Sequence, residues 1–367
     1  MMRIAYICGT ESWGGLEMNQ AKNALWMLQK GHFVLALGQK NSAFQKFCAE
    51  HNIPFQEIVK HRKYYDFKAA RILRKHLAKN KIEHLILRDV KDMSVSVAAK
   101  FWGKSSFKVH YFMEMQLGVS KKNILHTIRF RLLDTWSCPL NWLKEQVEQK
   151  TFMPRNRIVV IPSGLDRLPF IESLSKEEAR NTLLLPQNQL IIGLAGRFDP
   201  QKGQLLLLQA ISTLKNNEIS IVFLGEPTHN EGEAYHLEIQ QFIKTYRLQE
   251  RVFIRPFRKD IATFYKAIDA FVMASKSETV GMVTLEALAS NTPVIGSNAG
   301  GTIEILQNGQ LGYLYDPGNA NSLAEAITNF CRKEKIWTNK ELVQSTQKYD
   351  FSRVIEQVEN HLSRFKK

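Results

Sequence analysis

Short apolar runs rich in Val, Ile, Leu and Phe recur along this chain, with room for one helix between each pair. No other feature constrains the fold as strongly. In the first half the runs are "RIAYIC", "FVLALG", "IPFQEIV", "EHLILR", "FKVHYF", "TWSCPL" and "RIVVIPSG". Between them lie amphipathic stretches such as "LEMNQAKNALWMLQKG", closed by Gly31, and "DFKAARILRKHLAKN". After "IPSGLDRLPF" the series restarts with "LIIGLAGR", "ISIVFLG", "RVFIRPF", "AFVMAS", "TPVIGS" and "LGYLYDP". Strands separated by helices predict parallel sheets covered on both faces. The expected fold class is α/β, with two doubly wound parallel-sheet domains joined near Pro162–Asp166 and facing across a cleft. Their expected bounds are 1–163 and 164–348, followed by a terminal amphipathic helix at 349–367.

A length of 367 residues suits two domains, and 44% hydrophobic with 23% charged residues is an ordinary globular balance. Cys8, Cys48, Cys138 and Cys331 form no CxxC pair and no zinc-ligand spacing with histidine, so they read as reduced packing residues. The start, "MMRIAYICGTESWGG", lacks the apolar stretch of about 7–15 residues found in secretory signals. No run approaches the ~18 apolar residues of a spanning helix. The expected location is the cytoplasm. Charge is spread unevenly: residues 1–163 hold 27 Lys and Arg against 12 Asp and Glu, whereas residues 164–367 hold 23 of each. The whole excess of +15 therefore sits in the first half and points to an anionic partner there.

Open parallel sheets bind ligands beyond the carboxyl ends of their strands, and three glycine-marked loops fall at such ends. "CGTESWGGLEMNQ" follows the first strand and opens a helix at about Leu16; Gly14 and Gly15 let a ligand approach the backbone. It is not a G-x-G-x-x-G dinucleotide fingerprint. "GLAGRFDPQKGQ", residues 193–204, sets Arg197 and Lys202 around a turn before Gly203 and an apolar helix. A planar guanidinium fork and an ammonium point charge beside a glycine turn suit a pyrophosphate. A Walker A loop would need Ser or Thr after the lysine.

The third loop lies in "SETVGMVTLEALAS", residues 277–290. The amides of Gly281, Met282 and Val283 open a helix and would point at an anion. Glu278 precedes that helix and Glu286 lies within it. Eight residues turn about 80° on an ideal helix, so the two acids do not share a helical face. Helical side chains lean toward the N-terminus, which brings Glu286 back toward a bound ligand. A carboxylate beside a phosphate is repelled, so Glu286 suits a hydroxyl pair such as a ribose diol. Glu278 suits a hydroxyl of the transferred group or a developing charge.

Together these residues resemble the retaining nucleotide-sugar glycosyltransferases of family four, which have the GT-B fold. "GRFDPQKG" is similar to that family's G-R-x-x-x-x-K-G loop and "ETVGMVTLE" to its E-x7-E motif. "ALASNTPVIGSNAGGTIEILQNGQLGYLYDPGN" matches the continuation, and "VIPSGLD" resembles the interdomain "IPNGVD", with Ser163 in place of Asn. The likeness is specific over residues 158–330; in the first half it rests mainly on Gly14–Gly15. It implies two Rossmann-like domains, an acceptor site in the first, a sugar nucleotide in the second, and a last helix that crosses back to the first. Arg197 and Lys202 would neutralise the departing diphosphate, Glu286 would hold the ribose and Glu278 the donor sugar. Gly15 would close onto phosphate, and Phe257 would lie near the base. The family usually needs no bound metal, and two cations at the diphosphate fit that chemistry.

Many relatives carry a histidine near the end of the fifth strand of the first domain, where this chain reads "KVHYFMEMQLGVSKKN". Strand alternation sends His110, Phe112 and Glu114 to one face. Glu114, nearer the strand's end, is the preferred group at the reacting sugar, His110 the second choice, and Gln116 a third. Residues 60–81 hold nine Lys and Arg and one acid, Asp66, interleaved with Tyr64, Tyr65 and Phe67. With Phe67, Ala70, Leu73 and Leu77 facing a core, Lys68, Arg71, Lys75 and Lys79 point outward. That pattern suits an anionic membrane surface or a charged acceptor. No RNA-binding or helix-turn-helix signature accompanies it, which argues against nucleic acid.

The expected function is transfer of a hexose-type sugar from a nucleoside diphosphate to a glycan or lipid-linked acceptor. By resemblance the setting is surface-polysaccharide or lipopolysaccharide assembly, on the inner face of the cytoplasmic membrane. Competing readings are a GT-B epimerase or phosphorylase, and a non-catalytic sugar-nucleotide-binding scaffold. Sugar, base and acceptor stay open.

Overall fold

The computed structural model describes residues 1–64, 66–101, 107–172, 174–214, 218–227, 232–338 and 340–365; Tyr65, one of the interleaved aromatics, lies outside the described residues. The chain divides into two compact units, Met1–Gly164 with Tyr349–Lys367, and Leu165–Lys348.

In the first unit β1 (Arg3–Cys8), β2 (Phe33–Gly38), β3 (Phe55–Glu57), β4 (His84–Leu87), β5 (Lys108–Phe112), β6 (Thr135–Cys138) and β7 (Ile158–Val160) form one sheet. Its order is β3-β2-β1-β4-β5-β6-β7, with parallel pairing throughout. Successive side chains of a strand face opposite ways, and β1 fills two cores. Ala5 and Ile7 enter one with Leu73 and Leu77. Ile4, Tyr6 and Cys8 enter the other with Trp26, Val354 and Leu362. Each large side chain fully buried this way contributes about 1.5–3 kcal/mol. The terminal helix Phe351–Ser363 therefore packs on the same sheet face as the helix Gly15–Gln29, and Trp26 stacks on Phe351 at 4.9 Å between ring centroids.

In the second unit β8 (Leu190–Ala195), β9 (Ile219–Leu224), β10 (Val252–Arg255), β11 (Ala270–Met273), β12 (Val294–Ser297) and β13 (Gly312–Tyr315) pair in the order β10-β9-β8-β11-β12-β13, again parallel. Each sheet runs outward on one side of its first strand and then returns to continue on the other. The loops after β1 and β4, and those after β8 and β11, are thereby neighbours at the reversal, where doubly wound sheets bind ligands.

The helix Phe67–Lys79 is capped by Asp66, whose carboxylate accepts from the Ala69 amide at 3.0 Å. Lys68, Arg71, Lys75 and Lys79 are exposed. The expectation for Phe67 is corrected: it is 51% exposed, and Ala69 joins Ala70, Leu73 and Leu77 in the core instead. Side chains lean toward a helix's N-terminus, so the first residue of this helix leans beyond its first turn.

Candidate active site

In the second unit the loop after β8 is built for close approach. Gly203 has φ +78° and opens the helix Gln204–Thr213. A Cβ there would lie 2.4 Å from the carbonyl oxygen of Ala274, so glycine lets this helix start against the end of β11. The contact carries Lys202 to the neighbouring loop, where its ammonium donates to Glu278 Oε1 at 2.7 Å. Ser275 Oγ donates to the same oxygen at 2.9 Å. Lysine and glutamate side chains are 33% and 20% exposed, so the pair is open to solvent. Arg197, on the same loop, is 65% exposed with its guanidinium 3.8 Å from the Asp199 carboxylate.

Gly281 then opens the helix Met282–Ala289 with φ +76° and carries no side chain that could cap it. Its carbonyl accepts from the Thr284 amide at 2.9 Å. Met282 and Val283 form the first turn and are half-buried. Glu286 is also half-buried, and its Oε2 accepts from the Tyr265 hydroxyl at 2.9 Å. Burial first, and the Glu286 carboxylate second, hold the Tyr265 phenol well above its ordinary pKa, so it remains a donor. Phe257, two residues beyond β10, is 67% exposed. The structure thus joins Lys202 to Glu278 directly and gives Glu286 its own buried support. Tyr265 and Ser275 escaped the sequence reading, because a lone tyrosine or serine carries no spacing signal.

In the first unit Gly15 opens its helix with nothing within 4 Å of where a Cβ would stand, while the Gly14 amide donates to the Glu17 carboxylate at 2.8 Å. Glu114 lies just past the carboxyl end of β5 and is clamped. It is ion-paired with Arg88, at the end of β4, and their side chains are 6% and 4% exposed. Asn19 Nδ2 donates to its Oε2 at 3.3 Å, and Ser163 Oγ to its Oε1 at 3.3 Å. Burial pulls the Arg88 guanidinium down to about 10, so it is still charged at neutral pH. Ser163, the position that departs from the family's Asn, is therefore a ligand of this carboxylate.

His110 is corrected as a candidate at the strand end. It is fully buried, with Nε2 3.1 Å from His84 Nδ1 and Nδ1 3.1 Å from Thr135 Oγ1. Thr135 Oγ1 in turn lies 2.8 Å from His361 Nε2 on the terminal helix. Alternation does place His110, Phe112 and Glu114 on one face, but His110 sits in the sheet's interior against that helix. Gln116 is exposed. A further cluster follows β1: Asp92 accepts from the Gly9 amide at 3.0 Å and lies 2.9 Å from His61 Nε2. Burial pulls the His61 imidazole down, but the hydrogen bond and charge of Asp92 outweigh it and raise its pKa. Among the described residues no three His, Cys, Asp or Glu side chains gather as a metal site, and no helix is long and apolar enough to cross a membrane.

Residues 175–349 match the family model described as Glycosyl transferases group 1. D-inositol 3-phosphate glycosyltransferase of Corynebacterium kroppenstedtii is 30% identical over 186 residues, 48% of this chain and 41% of that protein. The enzyme of the same name from Mycolicibacterium smegmatis is 29% identical over 182 residues, 49% and 41% of the two chains. The chain thus spans less than half the length of these relatives. Among solved structures, a glycosyltransferase from Rickettsia africae superposes with a TM-score of 0.88 at 18% identity, covering 99% of this chain and 98% of that one. Anabaena HepE in complex with UDP and glucose gives 0.82 at 21% identity, covering 99% and 100%. The shared fold is GT-B.

Proposed function

Residues 175–349 belong to the glycosyl transferases group 1 family, and from that premise we propose that this chain is a retaining hexosyltransferase. It would take a nucleoside-diphosphate sugar as donor and pass the sugar to a glycan or lipid-linked acceptor in surface-polysaccharide or lipopolysaccharide assembly. The observation that carries the reading is the 2.7 Å contact between Lys202 and Glu278 beside the uncapped helix at Gly281. When the bond between the anomeric carbon and the diphosphate oxygen breaks, negative charge grows on the leaving group. Lys202 and Arg197 supply fixed positive charge for it, with the first amides of the helix. Glu278, released from Lys202 by the competing phosphate, accepts hydroxyl hydrogens of the sugar, while Glu286, held by Tyr265, accepts from the ribose diol. Gly15 and Phe257 would meet the phosphate and the base. Glu114 would stand at the reacting sugar as a charge fixed by Arg88.

Anabaena HepE, solved with UDP and glucose, supports a nucleotide-sugar donor. The two cations do the work a divalent ion would do at the diphosphate, so turnover should survive EDTA. The exposed Lys68, Arg71, Lys75 and Lys79 support docking on anionic lipid, which liposome sedimentation at varied anionic content and salt checks. The primary test is a thermal-shift screen with UDP, GDP and ADP and their sugars, followed by donor hydrolysis. At least one nucleotide should stabilise the protein, and Lys202→Ala and Glu278→Ala should abolish hydrolysis. Failure of all of them to bind at millimolar concentration would sink the donor assignment.

A further inference from the structure

The first unit contains a recessed cation that the fold itself does not neutralise. Arg129, on the helix Ile124–Arg131, is 7% exposed. Its guanidinium donates to His126 Nδ1 at 3.1 Å and to Ser94 Oγ at 3.3 Å, and lies 5.2 Å from the centres of the Tyr64 and Phe130 rings. Its Nε is buried with no hydrogen-bond partner among the described residues. Among the described residues no carboxylate lies within ion-pair distance of it, in contrast to Arg88, which has Glu114. Removing a guanidinium from water without a counter-charge costs several kcal/mol, so a fold that keeps one buried and unpaired implies a ligand that completes it.

Two openings meet at this arginine. The first is a cavity of about 390 Å³ beyond the carboxyl ends of β4 and β5, where an open parallel sheet binds its ligand. Arg88, Arg129, Lys63, Lys91 and Lys121 line it, with Asp89 as its one carboxylate, which accepts from the Lys91 backbone amide at 2.8 Å. The second is a trough of about 320 Å³ whose walls are almost wholly apolar. Phe67, Phe101, Leu125 and Ile128 line it and are 51%, 71%, 59% and 55% exposed. Tyr64 and Arg129 belong to both.

We propose that this pair of openings holds a lipid phosphate: the phosphate on Arg129 in the cationic cavity, the hydrocarbon chain along the trough. The proposal rests on the glycosyltransferase reading only in calling that ligand the acceptor. A soluble phosphorylated sugar would leave four large apolar side chains facing water beside it, each with an incentive of about 25 cal/mol per Å² to be covered. A bilayer surface attracts exposed lysines and arginines, not a buried arginine. An amphiphile accounts for both features: charge complementarity selects its head and burial its tail.

The test needs no nucleotide sugar, so it stands or falls apart from the donor assignment. Binding of farnesyl phosphate below its micellar concentration is measured by calorimetry and compared with farnesol, inorganic phosphate and phosphatidylglycerol vesicles. Wild-type protein should bind farnesyl phosphate at least tenfold more tightly than farnesol or phosphate alone. Arg129→Gln and, separately, the exposed pair Leu125→Ser with Ile128→Ser should each weaken it about tenfold. Because Arg129 has no acid to abandon, Arg129→Gln should leave the melting temperature within a few degrees of wild type, and Arg129→Lys should restore part of the binding. Inorganic phosphate binding as tightly as farnesyl phosphate would replace the proposal with a soluble phosphorylated acceptor. Vesicle binding unchanged by Arg129→Gln, with no farnesyl phosphate bound, would reduce it to a membrane surface. Equal farnesyl phosphate affinity in wild type and Arg129→Gln would overturn it outright.

Discussion

Each unit of this molecule places a glutamate at the carboxyl end of its sheet with a cation against it, and the two pairs are built for opposite ends. Glu278 and Lys202 are 20% and 33% exposed and share one short contact, with Ser275 as a second donor to that carboxylate. Glu114 and Arg88 are 6% and 4% exposed, and Asn19 and Ser163 add hydrogen bonds from two further segments. An open pair is worth little to the fold, about 0–1 kcal/mol, and exchanges partners cheaply. A buried pair holds a charge in place, and removing one partner strands the other. Similar chemistry thus yields an exchangeable contact in one unit and a fixed charge in the other.

The most drastic way to break this contrast is Arg88→Met. It leaves Glu114 buried without its cation, and the expected loss of stability is about 3–5 kcal/mol, read by urea denaturation. Adding Glu114→Gln to the same chain should recover a large part of that loss. If Arg88→Met unfolds no more easily than wild type, Glu114 is more solvated than its 6% exposure suggests, and the contrast with Glu278 collapses. Lys202→Met is the mirror experiment. Stability should move by less than about 1 kcal/mol, while donor turnover falls on the order of 10²–10³-fold, the usual loss when one charge stabiliser of a transition state is removed. A large drop in melting temperature with modest loss of turnover would reassign the pair to the fold.

A third test separates the units by pH. Burial, before any neighbouring charge, lowers the pKa of His84 to about 4 and lowers those of His110 and His361 as well. The groups acting on His84 are Glu83 and Asp134, which raise it, and His361 and Lys108, which lower it. Above the ordinary histidine pKa of about 6.5, all three rings are neutral in folded and unfolded chains alike and impose no cost. As pH falls below that value the unfolded chain takes up protons the folded one refuses, so stability drops, and the share due to His84 is fully lost by about pH 4. His84 alone then accounts for roughly 3 kcal/mol. The first unit should therefore melt progressively earlier between pH 6.5 and 4 in calorimetry, and His84→Gln should flatten the slope. A first-unit transition that does not move over that range would show the rings to be solvated.

The same contrast explains what could be read from the sequence. Every expected strand occurs, because strands buried on both faces are continuous apolar runs. The greatest shortening is at the two edges of the first sheet, where pairing stops early: "IPFQEIV" yields Phe55–Glu57 and "RIVVIPSG" yields Ile158–Val160. The second unit's candidate site was legible because Arg197, Lys202, Gly203, Glu278 and Gly281 lie in two glycine-marked loops with local spacing, and Glu286 lies on the helix that the second loop opens. The first unit's site was not. Arg88 and Glu114 stand 26 residues apart, Glu114 and Ser163 49, and Thr135 and His361 226, and no local pattern announces such meetings. His110 shows the cost: alternation gave its face correctly and said nothing of its depth along the strand.

The gentlest probe sharpens the comparison within the second unit, where two acids are held in different ways. Tyr265→Phe removes one hydroxyl from a fully buried ring and changes no charge. The hydrogen bond it makes to Glu286 at 2.9 Å is of the kind worth about 0.5–1.5 kcal/mol net, or more with an ionised acceptor. If Glu286 grips the nucleoside in ground state and transition state alike, losing its support raises KM for the donor about three- to tenfold and leaves kcat unchanged. Ser275→Ala withdraws one donor from Glu278 instead. If that acid meets the group being transferred, the loss should appear in kcat, and by a similar factor. Finding both variants altered in the same parameter would mean that the two carboxylates divide no labour, and the separate roles assigned to them would have to be merged.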